Sequence, residues 1–74
     1  MSTMEITPAH EVIALESVNA KGRWMSHARR PYSMWREMFI DAHNIIDCED
    51  PGYRVELWMI YGEERVMVWS GVAT

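Results

Sequence analysis

The chain has 74 residues, a formal net charge of −4 and a hydrophobic content of 49%. This length fits one domain, and the apolar fraction is too high for a disordered chain. Cys48 is the only cysteine, which excludes an intramolecular disulfide, and no apolar run approaches the ~20 residues of a membrane helix. Residues 1–20 also lack the pattern of a signal peptide, so we expect a cytoplasmic protein that does not enter the membrane.

The first third of the chain has features of both a helix and a β-hairpin. Thr7 followed by Pro8 resembles a helix start. Against a helix, the apolar residues within 12–18 would spread around the whole helical wheel instead of forming one face. A strand tolerates this pattern, so the sequence favours the hairpin.

This first hairpin is predicted to pair Glu11–Val18 with Arg23–Ala28. The run Asn19–Gly22 between them is typical of a type I turn closed by a glycine in the left-handed region. We expect residues 1–8, which precede the hairpin, to form a flexible N-terminus.

The clearest predicted element is an amphipathic helix from Ser33 to about Asp47. Its apolar residues recur at spacings of three, four and seven and form one wide stripe: Met34, Trp35, Met38, Phe39, Ala42, Ile45 and Ile46. Ser33 is the predicted N-cap, and Pro51 with Gly52 predicts a loop after the helix.

The C-terminal part predicts a second hairpin, Tyr53–Tyr61 with Glu64–Gly71, closed by a two-residue turn at Gly62 and Glu63. With an even register, one face carries Tyr53, Val55, Leu57, Met59, Tyr61, Val66 and Val68. The opposite face then carries Arg54, Glu56, Trp58, Ile60, Arg65, Met67 and Trp69.

Together these elements predict an α+β single domain spanning residues 1–74, in the order ββαββ. Two hairpins would pair into one antiparallel sheet and pack on the central amphipathic helix, since a lone hairpin is marginally stable in water. The alternative is two helices packed on the C-terminal hairpin. That arrangement would need a homodimer to complete its sheet.

One predicted strand face is unusually apolar for a surface. Trp58, Met67 and Trp69 lie on it, and aromatic residues dominate binding hot spots. They are the candidate anchors for a partner, with steering by four acids: Glu37, Asp41, Glu49 and Asp50. The alternative is that the N-terminal segment covers this face.

A second candidate surface is the acid-free segment Lys21–Arg36, which holds five of the seven basic residues. Basic groups neutralise phosphates and aromatic rings stack on bases, so the segment is a candidate nucleic-acid site. The residues concerned are Arg23, Trp24, Arg29, Arg30, Tyr32 and Arg36. The same arginines would also suit an acidic protein partner, or ion pairs with the chain's own acids.

No catalytic, cofactor or metal motif is recognisable. His43, Asp47 and Cys48 lack the repeated pair spacing of a structural zinc site. His43 and Cys48 are five residues apart, which places them about 140° apart around a helix, too far for a catalytic pair. We therefore expect neither an enzyme nor a bound cofactor or metal.

In its small size, acidity and Trp and Met content, without a catalytic constellation, the chain resembles the accessory proteins with which phages and mobile elements inhibit host machinery, anti-CRISPR proteins among them. The resemblance is one of composition. It implies a protein that binds and inhibits a larger protein or ribonucleoprotein, which is the favoured function. A small nucleic-acid-binding regulator is the alternative.

Overall fold

The structure, a computed structural model, describes residues 11–74. One helix packs against an antiparallel sheet of four strands. The elements are β1 Glu11–Val18, β2 Trp24–Pro31, α1 Trp35–Cys48, β3 Arg54–Tyr61 and β4 Glu64–Val72. The predicted α+β class and the order ββαββ are confirmed, and the alternative with a first helix is wrong because residues 11–18 are a strand. The predicted flexibility of residues 1–8 falls outside the described residues.

The strand order in the sheet is β2-β1-β3-β4, so β1 and β3 are central and β2 and β4 are the edges. The two central strands pair antiparallel with Leu15 opposite Leu57. We call the face that packs on α1 the helix face, and the opposite one the far face. No helix among the described residues is long and apolar enough to cross a bilayer.

The core lies between α1 and the two central strands. Ile13 and Leu15 of β1 and Val55 and Leu57 of β3 pack against two helix residues, Met38 and Ala42, and all six are at most 2% exposed. Alternation along each strand and the 3.6-residue helical repeat bring these residues together. Burial of each large aliphatic side chain contributes about 1.5–3 kcal/mol.

The helix begins differently from the sequence prediction. Strand β2 extends to Pro31, and Tyr32–Met34 then form a 3-10 turn that leads into α1. The backbone N–H of Trp35 donates to the Tyr32 carbonyl, and no side chain caps the helix. Ser33 is therefore not the N-cap, because the 3-10 turn supplies an i→i+3 bond at the helix start.

Both predicted hairpin turns are present. Gly22 closes the first with φ 84°, and Gly62 opens the second with φ 55°. In the first turn, the Asn19 side-chain oxygen accepts hydrogen bonds from the backbone N–H groups of Lys21 and Arg23. This side chain orders the connection in the way expected of asparagine in turns.

A β-bulge in β4 changes which face carries Trp69. Met67 pairs with Trp58, and Trp69 pairs with Leu57, so Val68 is an extra residue between them. The sequence predicts an even register with Trp69 on the same face as Trp58, and that prediction is wrong. The extra residue brings the Trp69 ring to the helix face, while Trp58 and Met67 share the far face as predicted.

Gly71 makes room for the Trp69 ring. A Cβ atom on Gly71 would lie 2.7 Å from that ring and 2.8 Å from Cδ1 of Ile46 in α1. Such distances are too short for carbon atoms in contact, so the absence of a side chain here allows the ring to lie against the helix.

We therefore expect Gly71→Ala to destabilise the fold by about 1–3 kcal/mol, because the added methyl forces Trp69 or Ile46 out of place. Urea unfolding of the two proteins measures the difference. The matched control is Ser70→Ala, at the exposed neighbouring position, which should change stability by no more than about 0.5 kcal/mol. Equal stability of Gly71→Ala and the control would contradict this packing.

Candidate functional site

An apolar cleft opens on the helix face between α1 and β4. Its volume is about 180 Å3, and we call it the aromatic cleft. The residues that line it are Ile13, Tyr32, Trp35, Phe39, Leu57, Val68 and Trp69. Ile13 and Leu57 belong to the core, so the floor of the cleft is the core itself.

Three aromatic rings in mutual contact form one wall of the cleft. The ring of Phe39 meets that of Trp69 edge to face, with centroids 5.2 Å apart. The imidazole of His43 lies 4.9 Å from the Trp69 ring and 4.6 Å from that of Phe39. Each aromatic pair stabilises this geometry by about 0.5–1.5 kcal/mol, so the wall is formed before any ligand arrives.

The mouth of the cleft exposes large apolar side chains. Trp35 is 43% exposed and Val68 is 45% exposed. The Arg36 guanidinium lies over the Trp35 ring, 5.3 Å from its centroid. Further along β4, Val66 is also exposed. Exposed apolar side chains around a pocket are typical of a binding surface.

Strand β4 adds a second binding feature beside the cleft. It is an edge strand, so its outer backbone groups have no partner strand among the described residues. From Val66 to Val72 it carries no charged residue. Natural edges are usually protected by charges, proline or bulges, and here the bulge at Val68 is the only such device within residues 66–72.

On the far face, Trp58 belongs to an internal polar network. Its indole N–H donates to Glu56 at 2.9 Å, and the Arg65 guanidinium lies 4.5 Å from its ring centroid. Arg65 also donates to Glu16 at 2.6 Å, and Arg54 pairs with Glu56 at 2.9 Å. The predicted anchor Trp58 is thus half-buried, and its polar group already has a partner.

This far-face network exists because two buried carboxylates oppose each other. Glu16 and Glu56 are cross-strand partners on β1 and β3, and they are 5% and 7% exposed. Like charges directly opposite each other destabilise a sheet, and buried carboxylates need partners. Arg65 and Arg54 supply one cation to each, so the network stabilises the fold and is engaged internally.

We expect Arg65→Gln to lower the stability by about 1–3 kcal/mol at neutral pH, because Glu16 then faces Glu56 without its cation. The loss should stay below that of a fully buried pair, since the Arg65 side chain is 41% exposed. Urea unfolding measures the change. Adding Glu16→Gln to Arg65→Gln should recover most of the loss, and failure to recover it would show that the effect is not electrostatic.

The four predicted steering acids lie away from the aromatic cleft. Glu37 and Asp41 are exposed on α1, and each is two residues from Phe39, which places them on the opposite side of the helix. Glu49 and Asp50 follow the helix and line a different cleft, next to Lys21 in the β1–β2 turn. These acids form an acidic flank and do not contact the apolar surface.

The predicted nucleic-acid residues are dispersed. Arg23 and Trp24 lie at one end of β2, and Arg29 and Arg30 lie near the other. Tyr32 packs against the core and Arg36 lies over Trp35, so these two residues belong to the surroundings of the cleft. Within residues 12–74 there are two ion pairs, one made by Arg54 and one by Arg65. No arginine of the Lys21–Arg36 segment takes part in either.

Sequence reasoning also missed a serine–histidine contact. The Ser17 hydroxyl lies 2.7 Å from Nε2 of His27 and 2.8 Å from the Tyr53 hydroxyl. Ser17 is 1% exposed, so a substrate has no access to its oxygen. The three side chains therefore form a structural hydrogen-bond network. Their spacing in the sequence gives no sign of it, because pairing of β1 with β2 brings His27 to Ser17 and pairing of β1 with β3 brings Tyr53 there.

His43 and Cys48, the other candidates for chemistry, are also separated. His43 stacks in the aromatic wall, and Cys48 is exposed at the end of α1. No group of three potential metal ligands converges within the described part of the chain.

Trp35, Phe39 and Val68 are the site residues that the sequence assigned to other roles. Their apolar spacing predicted core positions, since periodicity identifies a face and not the extent to which it is covered. The uncharged run 66–72 is the one sequence signal that could have indicated an exposed edge.

Comparison with protein-family models, curated proteins and solved structures finds no match to this chain. Any functional proposal therefore rests on the aromatic cleft and the β4 edge. These two features combine exposed apolar area, an aromatic wall and the uncharged run 66–72 on the edge strand. Exposed apolar area of this kind is common to interaction surfaces.

Proposed function

We propose that this chain is a non-enzymatic interaction protein that binds a larger protein or ribonucleoprotein and inhibits it by covering a surface. The observation that carries the proposal is the uncharged run 66–72 of the edge strand β4 beside the aromatic cleft. A cytoplasmic location is part of the proposal, in keeping with the single exposed cysteine, Cys48.

An extended segment of the partner would pair with the outer side of β4. Strand addition of this kind gives affinity through backbone hydrogen bonds, and it gives specificity through pockets for every second side chain. The aromatic cleft lies on the helix face beside this strand, where the bulge directs both Val68 and Trp69. A partner side chain on that face would enter the cleft.

The size of the cleft selects this side chain. A cavity of about 150 Å3 is enough to hold a benzene ring. The aromatic cleft has about 180 Å3, so a phenylalanine or leucine side chain suits it. Burial of that side chain against Trp35 and Phe39 would make it the main contributor to affinity, as expected for an aromatic-lined pocket near the centre of an interface.

The acidic flank would assist binding without contacting the cleft. The acidic flank has a negative potential, which acts over roughly 10 Å at moderate salt. It consists of Glu37, Asp41, Glu49 and Asp50. Such a field raises the association rate with a basic surface. A role of the kind played by accessory inhibitors of phages and mobile elements, anti-CRISPR proteins among them, is consistent with this mode of action.

We expect Val68→Lys to weaken partner binding at least about tenfold, since it places a charge at the mouth of an apolar pocket. Trp35→Ala should cost more than about 1 kcal/mol of binding free energy. The partner is first captured by cross-linking in lysate of the source cell or its host and is then purified. Its affinity for each variant is measured by surface-immobilised titration.

The control is Ile40→Lys, which replaces an exposed aliphatic residue of α1 that does not line the cleft. It should bind like the unsubstituted chain. Full affinity of both Val68→Lys and Trp35→Ala would exclude this surface. A loss in Trp58→Ala with unchanged stability would move the site to the far face.

A second copy of the chain is a competing occupant of the β4 edge, because two antiparallel β4 strands would meet without like charges opposed. Sedimentation at increasing concentration separates the cases. A dimer that Val68→Lys dissociates would identify the second copy as the occupant and overturn the assignment to a larger partner.

A further inference from the structure

The opposite edge of the sheet, β2, has the reverse character of β4. Lys21 and Arg23 precede it, Arg29 and Arg30 lie near its end, and no acid occurs between residues 19 and 36. All four basic side chains are exposed. This edge is therefore strongly cationic in a chain whose net charge is −4.

The arginines of this edge are directed to both faces of the sheet. Arg29 pairs with Ala14 and Arg30 pairs with Ile13, so they lie on the far face and the helix face respectively. The same alternation occurs at the start of β2, where Trp24 is 54% exposed and Met25 is 51% exposed, on opposite faces. One end of β2 thus presents two arginines, one on each face of the sheet. The other end presents two apolar side chains, also one on each face.

A β-bulge lies between these two pairs. The register of β2 with β1 shifts between Leu15 and Glu16, which leaves His27 as the extra residue. Arginines and a bulge on an edge strand oppose pairing with most other strands. For a strand that carries acids at matching positions, the same charges become attractive.

Within residues 12–74, neither Arg29 nor Arg30 has an acidic partner, because the ion pairs there belong to Arg54 and Arg65. The two arginines that neutralise buried glutamates are thus already engaged. Those on β2 are exposed and lie on a strand whose outer side has no partner strand within residues 11–74.

We propose that the β2 edge binds an extended acidic segment of a protein, added as an antiparallel strand. The segment has two adjacent acidic residues opposite Arg30 and Arg29, then two spacer residues, then two adjacent apolar residues opposite Met25 and Trp24. The spacer is two residues long because the added strand keeps the count seen opposite β1, where the bulge at His27 makes two residues of β2 oppose one. We expect the added strand to run antiparallel to β2, because antiparallel pairing is slightly more stable per residue than parallel pairing.

The observations favour a peptide strand over a nucleic acid. A phosphate backbone needs basic groups that converge on one side, and alternation sends Arg29 and Arg30 to opposite sides. The exposed tryptophan on this edge, Trp24, is five residues from Arg29, roughly 16 Å along the strand. An added strand alternates in the same way as β2, so each acid lies on the same face as its arginine.

This inference is independent of the β4 site, since β2 and β4 are opposite edges of the sheet. The test uses the full chain and two labelled peptides of equal composition, measured by fluorescence anisotropy. The first peptide has two adjacent glutamates, two threonines and two valines, in that order. In the second the glutamates alternate with threonines, so that both glutamates lie on one face of a strand and only one arginine can be matched.

The first peptide should bind about two- to fivefold more tightly than the second, because the two complexes differ by one cross-strand ion pair. Arg29→Glu combined with Arg30→Glu should weaken it at least about tenfold. Two single variants give the matched control. Arg29→Glu and Arg36→Glu change the net charge equally, but Arg36 lies on α1 away from the paired positions, so Arg36→Glu should stay within about threefold of the unsubstituted chain. Val68→Lys should leave peptide binding unchanged, which separates this site from the one on β4.

Amide shifts in a 15N-labelled sample of the unsubstituted chain locate the peptide even where a variant fails to fold. We expect perturbations at residues 23–31. Equal affinity for both peptides, perturbations at β4 instead, or absence of binding at millimolar peptide would overturn the proposal. So would tighter binding of a DNA oligonucleotide that Arg29→Glu and Arg36→Glu weaken equally, because that result defines a general polyanion surface.

Discussion

A single helix is too narrow to cover a four-stranded sheet, and most features of this molecule follow from that mismatch in width. A helix with its side chains is about 10–12 Å wide. The outer strands of a four-stranded sheet are roughly 14 Å apart, with their side chains beyond. Helix α1 therefore packs on the central strands β1 and β3 and leaves the helix face incompletely covered at β4. The aromatic cleft is this uncovered region, and its floor is the edge of the core.

The bulge in β4 decides how the uncovered region is used. A regular strand would place Trp69 with Trp58 on the far face. The extra residue Val68 brings the Trp69 ring to the helix face, where it meets the Phe39 ring edge to face. The ring fits there because Gly71 lacks a side chain. One inserted residue thus builds the aromatic wall and leaves Trp58 to the polar network on the far face.

Arginine serves two purposes in this fold, and position in the sheet separates them. Arg54 and Arg65 neutralise Glu56 and Glu16 on the two central strands, where opposed carboxylates would otherwise be costly. Arg29 and Arg30 lie on an edge strand, where water reaches them. The sheet consequently has two edges of different chemistry, one at β4 that is uncharged over residues 66–72 and a cationic one at β2.

The class of fold, the order of elements, the amphipathic helix and both glycine turns are predictable from the sequence, because they depend on local periodicity and backbone preferences. The basic run that reaches β2 is also evident there. Packing between distant segments turns Trp69 to the helix face and Trp58 to an internal network, and it leaves Trp35 and Phe39 at the border of a cleft. A bulge and the limited reach of α1 are consequences of packing between distant segments, so no local pattern encodes them.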